Sequence, residues 1–178
     1  MRSSGLKEKT VTISFRISES AFKALQEDSK RHNVSINTLA NQLFVTYAEY
    51  DRFLSKFHMI KLSASTFKRI LNAASESEIA EAGQTAGTSV PVSFILAQKG
   101  DFTFDNAVEY LRTMGTHANL FDFTESIGSG NSISNLTLTH DLGLRGSVFL
   151  ANYVESMFRP LGKEFKIAKY PDAVTIKF

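Results

Sequence analysis

The chain has 178 residues, 43% of them hydrophobic and 21% charged, with a formal net charge of +2. These values describe a globular protein with room for one ordinary domain or for a small module joined to a larger one, and any nucleic-acid role must rest on local rather than overall charge. Cysteine is absent, which excludes disulfides, zinc–cysteine sites and thiol catalysis, and no apolar run reaches the roughly 18 residues of a membrane span.

Residues 1–9 are polar, and Arg2, Lys7 and Lys9 outnumber Glu8. They are expected to form a flexible basic arm, with Lys7 and Lys9 able to track DNA phosphates. The segment lacks the apolar core of a signal peptide, so a cytoplasmic protein is expected. Residues 10–17 alternate: Val11, Ile13, Phe15 and Ile17 fall on one face, Thr12, Ser14 and Arg16 on the other. That period of two predicts a strand. Two helical patterns follow with no partner strand nearby, and a lone strand leaves its backbone groups unpaired. The simplest partner is the same strand of a second copy. A ribbon of two strands fits the DNA major groove.

A first helix is expected to start at a Ser18 or Ser20 cap, with Glu19 complementing the helix dipole, and to stop near His32 at Asn33. Ser35 is an N-cap for a second helix. Its residues Ile36, Leu39, Ala40, Leu43, Phe44 and Tyr47 recur at the spacing of a buried stripe. The short first helix cannot cover that stripe alone, which again points to a second copy.

The ordered set Ile13-Ser14-Phe15-Arg16-Ile17, Glu19, Leu25 and Val34-Ser35-Ile36-Asn37 resembles a ribbon-helix-helix domain of the Arc, methionine-repressor and CopG type. The resemblance covers about residues 10–50. It implies an intertwined dimer with its paired strands in the major groove. By matching position, Thr12, Ser14 and Arg16 would read base edges. Ser35, Ile36 and Asn37, at the start of the second helix, would hold a DNA phosphate. Both roles are physically sound: arginine can donate twice to guanine, and a helix N-terminus offers free N–H groups and a positive dipole end. The nickel-sensing branch of that family needs a histidine cluster and a cysteine, and this chain has no cysteine.

Tyr47–Phe57 continues an apolar stripe through Tyr50, Phe53, Leu54 and Phe57, with Ser55-Lys56 a candidate hinge. A short strand is expected over His58–Leu62. A helix capped by Ser63 or Ser65 should run to about Ala74, burying Phe67, Ile70 and Leu71. A second helical stretch covers Glu76–Ala86. Gly87–Pro91 reads as a turn, with Pro91 opening a further helix to Gln98, and Gly100-Asp101 as a break. Asp105–Met114 is helical. Asn119–Ile127 and Ser132–His140 read as strands joined by a turn at Gly128–Asn131. Gly143–Leu161 holds a long helix. Lys163–Tyr170 and Ala173–Phe178 form a last hairpin. The expected layout is a basic arm at 1–9, a ribbon-helix-helix domain at 10–55, and an α+β domain at 56–178 with a mainly antiparallel sheet.

Chemistry-bearing constellations are sparse. The four histidines, His32, His58, His117 and His140, show no metal-ligand spacing, and neither metal nor cofactor is expected. His140-Asp141, where a strand yields to a helix, is a possible ligand site. Its bland alternative is a helix cap beside a surface imidazole. Gly128-Ser129-Gly130 is not followed by a helix and so is no phosphate loop. Lys163, Lys166, Lys169 and Lys177 read as edge guards or a second basic surface.

The reading is a sequence-specific DNA-binding regulator, a repressor, homodimeric or tetrameric, without catalytic activity. Its larger domain would assemble dimers or meet a ligand or protein. One alternative is a DNA-binding antitoxin, although toxin-binding tails are commonly short and disordered until bound. The other is an enzyme assembled through the N-terminal domain, for which no catalytic set is visible.

Overall fold

A computed structural model describes residues 10–54, 56, 57 and 59–178. Arg2, Lys7 and Lys9, together with Ser55 and His58, lie outside the described residues. The chain divides into two compact units between Val45 and Thr46, upstream of the 55/56 boundary expected from the sequence.

The N-terminal unit contains α1 (Glu19–His32) and all but the last residue of α2 (Ile36–Thr46). The end signals act as their chemistry dictates. Ser18 Oγ accepts the Ala21 N–H at 3.2 Å. Asn33 adopts the left-handed conformation at φ 52°, ψ 43° and stops α1. Lys30, Arg31 and His32 occupy the last turn, where the dipole favours cations. Residues 10–17 form no strand in the single chain. A strand is defined by its pairing, and the segment has no partner strand among the described residues. Phe15 meets Phe44 of α2, with ring centroids 5.3 Å apart.

The second unit is an α+β arrangement. A π-helical turn (Tyr47–Asp51) and the short α3 (Arg52–Leu54) precede α4 (Ala64–Ala73), α5 (Glu76–Lys99) and α6 (Phe104–His117). Strands β1 (Asp122–Ile127) and β2 (Ile133–Thr139) form a hairpin, α7 (Leu144–Phe158) follows, and β3 (Lys166–Tyr170) with β4 (Ala173–Lys177) closes the chain. The sheet is wholly antiparallel in the order β1-β2-β4-β3. Leu136 and Leu138 stand opposite Ile176 and Val174, and all four are fully buried. On the other face Thr137 pairs with Thr175, their hydroxyls 3.2 Å apart. One apolar and one polar face is the usual division of an antiparallel sheet. The buried stripe of α7, Leu150, Val154, Met157 and Phe158, joins the same core.

Two expectations are corrected here. Gly87–Pro91 is not a turn: α5 runs unbroken through Pro91. Residues 59–62 form no strand, and the four-stranded sheet takes none of them. The helix starting at Glu76 is set by a full capping box. Ser75 Oγ accepts the Glu78 N–H at 3.3 Å, and Glu78 Oε2 accepts the Ser75 N–H at 2.7 Å. Its carboxyl is held below the ordinary range, first by the Ser75 hydroxyl and then by the Ser75 N–H. Of the lysines near the C-terminus, Lys163 sits with Nζ 3.6 Å from the Phe104 ring centroid, a cation–π contact over the Phe104–Phe158–Phe178 cluster. Lys166 stands directly opposite Lys177 across the β3–β4 pair.

Candidate nucleic-acid interface

The N-terminal unit has almost no interior. Its only buried residue among those described is Ser29. Val11, Ile13, Phe15 and Ile17 are between 53% and 77% exposed, and Phe22, Leu43 and Phe44 are exposed as well. An alternating apolar row and an apolar helix face open to water together make a patch that a monomeric fold rarely leaves uncovered.

Thr12, Ser14 and Arg16 are all exposed. Arg16 makes no ion pair among the described residues, so its guanidinium retains its donors. Elsewhere in this unit the cations are partly spent: Lys23 pairs with Glu19 at 2.7 Å and Arg31 with Asp28 at 3.1 Å. By sequence, residues 1–45 hold seven Lys and Arg against four Asp and Glu. The net positive charge of the chain is therefore concentrated in this first quarter.

At the start of α2, Ser35 Oγ accepts the Thr38 N–H at 3.0 Å and lies 2.8 Å from Thr38 Oγ1. The Ser35 carbonyl accepts the Leu39 N–H at 3.0 Å. Ile36 and Asn37 thus supply the first-turn N–H groups that a helix cannot satisfy internally. No acidic residue occupies that first turn, whereas α1 opens with Glu19. Of these two helix starts, α2 is the one suited to an anion.

The second unit holds His140 and Asp141. His140 is buried. Its Nδ1 accepts the Leu142 N–H at 3.2 Å, which places the ring proton on Nε2, 3.1 Å from Ser147 Oγ. The Ser147 hydroxyl in turn donates to the Tyr170 carbonyl. The His140 N–H donates to the Asp172 carbonyl at 2.9 Å. Every ring nitrogen is committed inside the fold, so the imidazole is neither a surface group nor a free ligand. Burial lowers its pKa, opposed by Asp172 and Asp141 and aided by Lys68. Asp141 is exposed, and its carbonyl accepts Lys68 Nζ at 2.6 Å.

Among the described residues no three His, Asp or Glu side chains gather as a metal site, and no helix is long and apolar enough to cross a membrane. The sequence reading missed the pairing of Tyr110 with Tyr153, whose hydroxyls lie 2.6 Å apart. Each falls within an ordinary helical stripe, and nothing local announces that they meet. Comparison with protein-family models, with curated proteins and with solved structures finds no match.

Proposed function

We propose that the protein is a sequence-specific DNA-binding regulator. Two copies pair residues 10–17 into an antiparallel ribbon that enters the major groove. The observation that carries this reading is the missing interior of the N-terminal unit: its apolar residues stay exposed in the single chain, and a second copy covers them. The face left outward then carries Thr12, Ser14 and Arg16, two hydroxyls and a guanidinium able to read base edges. The uncluttered start of α2 holds a backbone phosphate through Ser35, Ile36 and Asn37. Lys7 and Lys9 add phosphate contacts from the arm. The local excess of Lys and Arg in residues 1–45 supplies the non-specific attraction on which base reading is built.

The experiment is selection of duplexes from a random DNA pool by the full-length protein. The expected result is an inverted repeat with fixed spacing, whose affinity falls with salt at a log–log slope of about −0.9 per phosphate neutralised. A pool that stays unenriched contradicts the reading.

A further inference from the structure

The second unit carries an open cleft with a cavity volume of about 1160 Å³. Its walls are largely apolar: Leu54, Ala86 and Val90, Met114, and Phe149. Ligand cavities commonly measure about 300–1,000 Å³ and combine apolar walls with a few placed polar groups. Among the polar groups in the wall, which include Ser63 and Asn119, is the Tyr110–Tyr153 pair.

The two phenols cannot satisfy each other. Two hydroxyls 2.6 Å apart share one hydrogen bond, which uses one of their two protons. The second proton has no acceptor among the described residues. Tyr110 is 2% exposed, whereas Tyr153 is half-buried, so with Tyr110 donating to Tyr153 the spare proton lies on Tyr153, where an acceptor in the cavity can take it. Burial raises the pKa of both phenols, and the pair therefore remains a donor rather than an anion. The charged side chains in the lining are Asp51 and Lys61, one of each sign. His117 is already occupied: its ring stacks on Tyr50 at 5.7 Å, and its nitrogens lie 3.4 Å from Thr46 Oγ1 and 3.3 Å from Glu49 Oε2.

We infer that this cavity is a binding site for an uncharged, largely hydrocarbon or aromatic small molecule whose carbonyl oxygen accepts the free proton of the Tyr110–Tyr153 pair. The apolar walls take up the body of the ligand by the hydrophobic effect. The phenol pair fixes its orientation. An uncharged ligand suits a lining without a net charge. The site stands apart from DNA reading, since every residue that forms it belongs to the second unit.

The test uses Nile red, an uncharged aromatic dye with a carbonyl acceptor, titrated into the full-length protein without DNA. The expected result is saturable fluorescence at one dye per chain. Ala86→Trp, which fills the cavity, should weaken binding at least tenfold. Tyr153→Phe, which keeps the ring and removes one hydroxyl, should weaken it severalfold with far-ultraviolet circular dichroism unchanged. This second variant keeps the test decisive should Ala86→Trp fail to fold. Ile13→Ser, which removes exposed apolar surface from the other unit, should leave dye binding intact. Absence of saturable binding overturns the inference. So does binding that disappears in Ile13→Ser, or binding that is unchanged in folded Tyr153→Phe. Failure of the DNA selection leaves these outcomes unaffected, so the two readings fail separately.

Discussion

A Cβ placed on Gly87 would stand 2.1 Å from the carbonyl oxygen of Tyr153, and one on Gly83 would stand 2.5 Å from that of Phe149. These glycines lie one helical turn apart on α5, and both face the backbone of α7. The two helices therefore approach to a distance that excludes any side chain at either position. Gly87→Ala has to push α7 away from α5. The expected cost is about 1–3 kcal/mol, as for other overpacked interiors, read by denaturant unfolding. Thr88→Ala, one residue on at an exposed site, should cost far less. A Gly87→Ala variant as stable as the parent would show that the helices do not pack this closely.

The same glycines explain why α5 misleads a reader of the sequence. Gly87-Thr88-Ser89-Val90-Pro91 holds two strong helix breakers within five residues, and locally it has turn chemistry. The helix continues because packing outweighs propensity: the close approach to α7 requires Gly83 and Gly87. Thr88 and Ser89 turn their hydroxyls back onto the Gln84 and Thr85 carbonyls. Where end chemistry is strong, it is legible directly. Ser18, Asn33, Ser35 and Ser63 mark helix ends as read, and the β1–β2 and β3–β4 hairpins follow from alternation and turn residues. Residues 59–62 carry strand-like composition, yet a strand needs a free sheet edge, and sequence alone does not say whether one is available. The buried role of His140 was equally hidden, because Ser147 and Tyr170 reach it only through the fold.

His140 gives the second unit a pH dependence whose sign is fixed. Its folded pKa lies below the ordinary histidine value because burial disfavours the imidazolium. Protons therefore bind the unfolded chain more readily. Stability from this group is fully present above about pH 6.5, the unfolded value, and is lost as pH falls through the depressed folded pKa. Denaturant midpoints measured from pH 8 to pH 5 should fall. In His140→Gln the decline over that window should be shallower, on a lower plateau. An unchanged slope would assign the dependence to other groups.

Arg145 secures the end of α4. Its guanidinium donates to the Ala74 carbonyl and, at 3.2 Å, to the Leu71 carbonyl, which also accepts the Ala74 N–H at 3.3 Å, so it supplements the thin hydrogen bonding of a helix end. A cation there also complements the dipole. Arg145→Ala should cost about 1.5 kcal/mol, the lower range for hydrogen bonds to a charged group. Amide hydrogen exchange should locate the loss, with residues 70–73 exchanging faster and the β2–β4 amides little changed. Uniform acceleration across the unit would contradict a local role.

In DNA binding, Arg16 and Ser35 should separate by kind of effect. Arg16→Ala should cost about 1–3 kcal/mol at the selected sequence and blur preference at one base position. Ser35→Ala removes the α2 cap, worth about 1 kcal/mol, and should weaken selected and random duplexes alike. Titrations of both variants against both duplexes check this. Unchanged affinity and preference in Arg16→Ala would remove it from base reading.

The ribbon itself can be tested in a chain that contains no cysteine. Single cysteines placed one at a time at residues 11–16, as in Ile13→Cys or Ser14→Cys, are oxidised and the products sized on a denaturing gel. Two antiparallel copies bring only residues near their two-fold axis within disulfide reach of themselves. The account predicts covalent dimers with a single sharp maximum in that segment, falling away on either side. Monomer at every position, in a protein that also sediments as a monomer, contradicts it.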